Sequence, residues 1–150
     1  DDVVVAKDVA RVLRRAADPE ERPFVAAVGY DRQPPDFLPA VWGNGPDGQY
    51  AQLEHDEVPA SGIYRVRATG LCAAIFHRSL FDRVSEPWFA VTPPVNGQMG
   101  LNPDSWWCRQ LESAGIPAYV TCDTKVIHLG RKITVSKDTA PFLAQHNKEQ

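Results

Sequence analysis

A chain of 150 residues has room for one domain with a real core, and its balance of 43% hydrophobic and 23% charged residues excludes a disordered or fibrous protein. A formal net charge of -3 leaves no basic footprint, so nucleic acid is not an expected partner. No apolar run approaches the length of a bilayer span, and Cys72, Cys108 and Cys122 form no CxxC pair, which argues for buried, reduced thiols in a cytoplasmic protein.

The chain opens on Asp1-Asp2 running straight into Val3-Val4-Val5, an acidic pair at the mouth of a strand. Beginning without Met and inside a motif, it reads as an excised piece whose upstream partner segment is missing. Val9, Val12, Leu13 and Ala16 then recur at helical spacing, which predicts a short amphipathic helix between Asp8 and Ala17 with Arg11, Arg14 and Arg15 on its solvated side. Phe24 to Tyr30 is almost wholly apolar, as a strand buried on both faces requires. Pro34, Pro35, Pro39 and Pro46, with Gly43, Gly45 and Gly48, predict a loop region holding at most a short hairpin between Ala40 and Leu53.

Further along, Ile63 to Ala68 alternates as a strand does, and Gly70 to Phe76 reads as an interior strand whose glycine permits close backbone approach. A short helical turn from Ser79 to Val84 precedes a Pro- and Gly-rich tract between Thr92 and Leu101. Asn102-Pro103 is a helix start, because Asn caps free amides and Pro is preset for the first helical position. That helix is predicted to run to Ala114, with Trp107, Leu111 and Ala114 on one face and Gly115 closing it. Strands are expected over Ala118 to Cys122, Lys125 to Leu129 and Ile133 to Val135, followed by a polar helix or tail. Interleaved helices and strands predict an α/β class, a mixed sheet flanked by helices.

Several side chains could carry chemistry. Paired carboxylates leaving a strand suit Mg2+ or Mn2+, ions that bridge protein acids and substrate phosphates, although Asp1 and Asp2 could equally be exposed residues at a chain end. His128 stands at a strand end, its side chain directed away from that of Ile127 and toward a cleft, while a single histidine also serves as an ordinary core or surface residue. His55, His77 and His146 have no evident partner in the sequence. Asp104 falls at the second helical position, where the dipole favours its anion and the neighbouring Trp106 and Trp107 oppose that by desolvation. Trp107, in helical register with Leu111, reads as core, which leaves Trp106 as the indole better placed to meet a ligand.

Asp1-Asp2-Val3-Val4-Val5-Ala6-Lys7-Asp8 looks like a strand-end Asp-x-Asp passage entered partway. It is followed by Ala68-Thr69-Gly70-Leu71-Cys72-Ala73-Ala74-Ile75-Phe76-His77-Arg78-Ser79-Leu80-Phe81, by Pro87-Trp88-Phe89, by the helix from Asn102 to Ala114-Gly115, and by His128-Leu129-Gly130. In this order and spacing the chain resembles the second half of a GT-A fold glycosyltransferase of the family 2-like group. Pro103 stands where that group has Glu, and Asp104 is retained.

The resemblance implies that residues 1–135 form the acceptor-side part of a GT-A domain, with 136–150 a polar helix or tail. It implies sugar transfer from a nucleotide-diphosphate donor to a hydroxyl on a carbohydrate, lipid or protein acceptor, with inversion. Asp1, Asp2 and His128 would hold Mn2+ or Mg2+, Asp104 would be the base, and Gly70, Trp106 and Trp107 would border the acceptor. The loop after Phe89 would fold over bound donor. Two alternatives remain: a non-catalytic sugar-binding or interaction module of the same fold, since the donor-binding half is missing, and a nucleotidyltransferase.

Overall fold

The structure, a computed structural model, describes residues 3–31, 37–94, 100–129, 134–135 and 140. Strand β1 (Val3–Val5) leads into helix α1 (Val9–Ala16) and strand β2 (Phe24–Ala27). The expected hairpin consists of β3 (Val41–Asn44) and β4 (Tyr50–Gln52) across a turn at Pro46–Gly48. Next come β5 (Ile63–Val66), β6 (Ala68–Thr69), β7 (Ala74–Phe76) and the short helix α2 (Leu80–Arg83). Helix α3 (Pro103–Ser113) precedes β8 (Ala118–Thr121), β9 (Val126–Leu129) and β10 (Thr134–Val135).

The α/β class holds, but the strands divide among three sheets, ordered β5-β8-β2-β7, β4-β3-β6 and β1-β9-β10. The first is the mixed one, with β2 parallel to β8 and antiparallel to β7, and β5 antiparallel to β8. All four residues of β2 are 0% exposed, as its unbroken apolar run predicts. Strand alternation sends Phe24 and Ala26 into one cluster, with Trp107 and Leu111 of α3, and Val25 and Ala27 into another, with Leu13 and Ala16 of α1. A helix therefore covers each face of the central strand. Burial of this kind stabilises by about 1.5–3 kcal/mol for each large apolar side chain.

Local chemistry explains the helix ends. In α3 the Asn102 side chain accepts the Ser105 N–H at 2.8 Å, Pro103 occupies the first helical position, and Gly115 takes φ +69° just beyond the helix. Asp8 precedes α1 without capping it; its carboxylate instead pairs with Arg11 one turn on, at 2.7 Å. Arg11, Arg14 and Arg15 are exposed, on the solvated side expected for them.

Two expectations give way here. Ala114 is not part of the buried face: α3 stops at Ser113, Ala114 is its exposed cap, and Cys108 joins Trp107 and Leu111 in the core instead. The interior strand expected over Gly70 to Phe76 is confined to Ala74–Phe76. The chain changes sheets in between, because Ala68–Thr69 pairs with β3 and Ala74–Phe76 with β2, while the amides of Gly70 and Leu71 go to the Ala40 carbonyl and the Asp104 carboxylate.

The hairpin is fastened to α3 by polar groups. Arg67 donates to Glu112 Oε1 at 2.7 and 3.1 Å and lies 3.9 Å over the Tyr50 ring, whose hydroxyl donates to Glu112 Oε2. Burial, and then the bond to Glu112, push the Tyr50 phenol up to about 12. That same phenol bond, followed by Arg67, draws the Glu112 carboxyl below its ordinary range. Below this tie Trp107 is wholly buried, ringed by Phe24, Phe76, Phe81 and Phe89 at centroid separations of 5.3 to 6.1 Å.

Candidate functional site

Asp104 lies in the first turn of α3, half-buried, and its Oδ2 accepts the Leu71 N–H at 3.0 Å. Oδ1 makes no hydrogen bond among the described residues. Gly70 lies against both neighbours: a Cβ there would crowd that of Ala40 at 3.3 Å and stand in ordinary contact with Asp104 Oδ2 at 3.7 Å. The carboxylate therefore has one oxygen held by backbone and one directed elsewhere. Four residues along the same helix, burial pushes the Cys108 thiol up to about 11, with the Asp104 charge adding to that rise and the bond to the Thr69 backbone opposing it.

His128 belongs to β9, whose central position in its sheet sets the ring beside the end of β2. Its Nδ1 bonds to the Tyr30 carbonyl, and its Nε2 lies 3.0 Å from Cys72 Sγ. A carbonyl can only accept, so Nδ1 carries the proton and Nε2 presents its lone pair. The Cys72 S–H is then the donor to Nε2. This is the arrangement found in metal-binding histidines, in which a backbone carbonyl on one ring nitrogen leaves the other free to coordinate.

The two groups meet on consecutive residues, Asp104 at Leu71 and His128 at Cys72. Both lie where the chain crosses between sheets, and Tyr30 follows the carboxyl end of β2, the region in which open α/β sheets bind ligands. Asp1 and Asp2 lie outside the described residues, as do Gly130, residues 136–139 and 141–150, and with them His146. Val3, next in the chain after Asp2, is paired directly opposite His128, with Val4 opposite Ile127 and Val5 opposite Val126. The opening strand thus has a partner in β9, although Val4 and Val5 remain 46% and 39% exposed.

Of the two indoles expected near an acceptor, Trp106 is half-buried and donates its ring N–H to the Pro87 carbonyl at 2.7 Å. Trp107 is 0% exposed and fills the core, which leaves no part of its ring for stacking on a ligand. His77 and His55 do have partners. His77 Nδ1 bonds Ser79 Oγ at 2.8 Å ahead of α2, and His55 stacks on Tyr30 with centroids 6.0 Å apart.

Sequence reasoning missed Cys72, Gly29 and Tyr30. A Cβ on Gly29 would fall 2.8 Å from Cys72 Sγ and 4.0 Å from His128 Cε1, so the niche for this pair exists because residue 29 has no side chain. The available signal was a glycine closing a fully buried apolar run, a mark of close approach. Among the described residues no three His, Cys, Asp or Glu side chains form a metal-binding cluster, and no helix is long and apolar enough to cross a membrane. Compared with known protein families and with curated proteins, the chain matches none.

Proposed function

We propose that the chain is the acceptor-side part of a GT-A type glycosyltransferase, moving a sugar with inversion from a nucleotide-diphosphate donor to a hydroxyl acceptor. The observation that supports this reading best is the meeting of Asp104 and His128 on the consecutive residues Leu71 and Cys72, beside the strand that continues the opening acids. A carboxylate whose Oδ1 makes no hydrogen bond among the described residues, and an imidazole with a directed lone pair reached from the next residue of the chain, fit a base and a cation ligand serving one reaction.

On this reading Asp104 Oδ1 takes the proton of the acceptor hydroxyl. The acceptor oxygen forms its bond to the anomeric carbon as the bond to the diphosphate breaks on the far side, and the electron pair leaves with the nucleoside diphosphate. The Leu71 amide holds Oδ2 throughout, so the carboxylate is oriented before the acceptor arrives. A divalent cation, when bound, neutralises charge on the departing diphosphate. Its proposed holders are His128, whose ring is already fixed by the Tyr30 carbonyl, together with Asp1 and Asp2. Trp106 and Gly70 border the acceptor side; Trp107 supports them from the core.

The test is release of nucleoside diphosphate from a panel of nucleotide sugars by the full-length protein, with and without EDTA. Cation-dependent release that increases with a hydroxyl acceptor is expected. No release from any nucleotide sugar, with metal present, overturns the reading.

A further inference from the structure

We propose that Cys72 is a thiolate ligand beside His128, giving the cation site an N/S character that selects a borderline-soft divalent ion such as Zn2+ or Co2+ over Mg2+. This rests on the reading that His128 holds a cation. Three observations carry it. Cys72 Sγ lies 3.0 Å from Nε2, directly on the lone pair that a cation would use. The Tyr30 carbonyl occupies Nδ1, so the ring has no second lone pair with which to bind a cation elsewhere. Gly29 is bare at the point where any Cβ would push Sγ away, 2.8 Å from it, which makes the thiol's place a built feature of the carboxyl end of β2.

A hard cation at Nε2 would have to displace a sulfur atom that it binds poorly. A borderline-soft cation takes the sulfur as a ligand, since thiolate and imidazole are its preferred donors. In that step the Cys72 S–H bond breaks, its proton goes to solvent, and a sulfur–metal bond forms with no change of oxidation state. Cys108 and Cys122 are buried elsewhere in the core, and Cys72 is the half-buried thiol of the three.

Co2+ alone is the probe, added to full-length protein and to the Cys72→Ser, His128→Ala and Gly29→Ala variants, with circular dichroism to verify folding. A near-ultraviolet thiolate-to-cobalt absorption in the parent is expected, lost in Cys72→Ser and weakened in Gly29→Ala. Competition should show Zn2+ affinity falling at least about tenfold in Cys72→Ser, with Mg2+ affinity not reduced. Co2+ bound without the thiolate absorption, or an absorption that persists in folded Cys72→Ser, overturns the role of Cys72 and leaves a His128 cation site standing. No Co2+ binding at all, or binding that His128→Ala does not weaken, overturns the cation reading and this inference together.

Discussion

The Leu71 amide donates to Asp104 Oδ2 over 3.0 Å, pinning the first turn of α3 to the segment in which the chain leaves one sheet for another. Asn102 sets the start of the helix, so the position of this carboxylate depends on two separate stretches of sequence, one around Leu71 and one beginning at Asn102.

Asp104→Asn keeps an acceptor oxygen for the Leu71 amide and removes the ability to take a proton. Turnover of the full-length protein should fall by about 10²–10⁴-fold with folding and donor binding retained. Paired calorimetric and product-release measurements check this, and near-normal turnover removes Asp104 as the base.

The Tyr50–Glu112–Arg67 tie sets a pH window. Tyr50 holds its proton more tightly folded than unfolded, so its contribution is complete below about pH 10 and is lost as pH rises through about 12. Glu112 is shifted down, so its contribution is present above about pH 4.3 and lost as pH falls through its depressed value. Urea midpoints followed across pH should show a shallower alkaline decline in Tyr50→Phe than in the parent. With the Glu112 side chain 47% exposed, the acid arm of the effect is small.

Thiol reactivity should separate the cysteines. Burial keeps Cys108 protonated up to about 11, so alkylation of the native protein near neutral pH should spare it while labelling Cys72. Mass spectrometry of the peptides reads this directly, and adding Zn2+ should slow the labelling of Cys72.

Trp107→Ala should cost about 3–5 kcal/mol, because it empties the centre of an aromatic cluster on which α3, β2 and β7 all rest. Trp106→Ala removes only a half-buried ring and its bond to Pro87, and should lower stability less. Denaturant unfolding of the two variants compares them.

Some of this protein was legible one segment at a time. The apolar spacing of Val9, Val12, Leu13 and Ala16 determined α1, the unbroken run from Phe24 determined a strand covered on both faces, and Asn102-Pro103 with Gly115 bounded α3 to within a residue. Such signals work because helix periodicity, capping and burial depend on residues a few positions apart. The exposed Ala114, the short β7, the division into three sheets and the pairing of Cys72 with His128 were decided by tertiary structure. Each depends on which distant group captures a donor or leaves a gap, as Asp104 does for the Leu71 amide and Gly29 does for the Cys72 sulfur. Those partners are set only when separate segments collapse onto the same strand ends, and no local pattern of residues encodes that meeting.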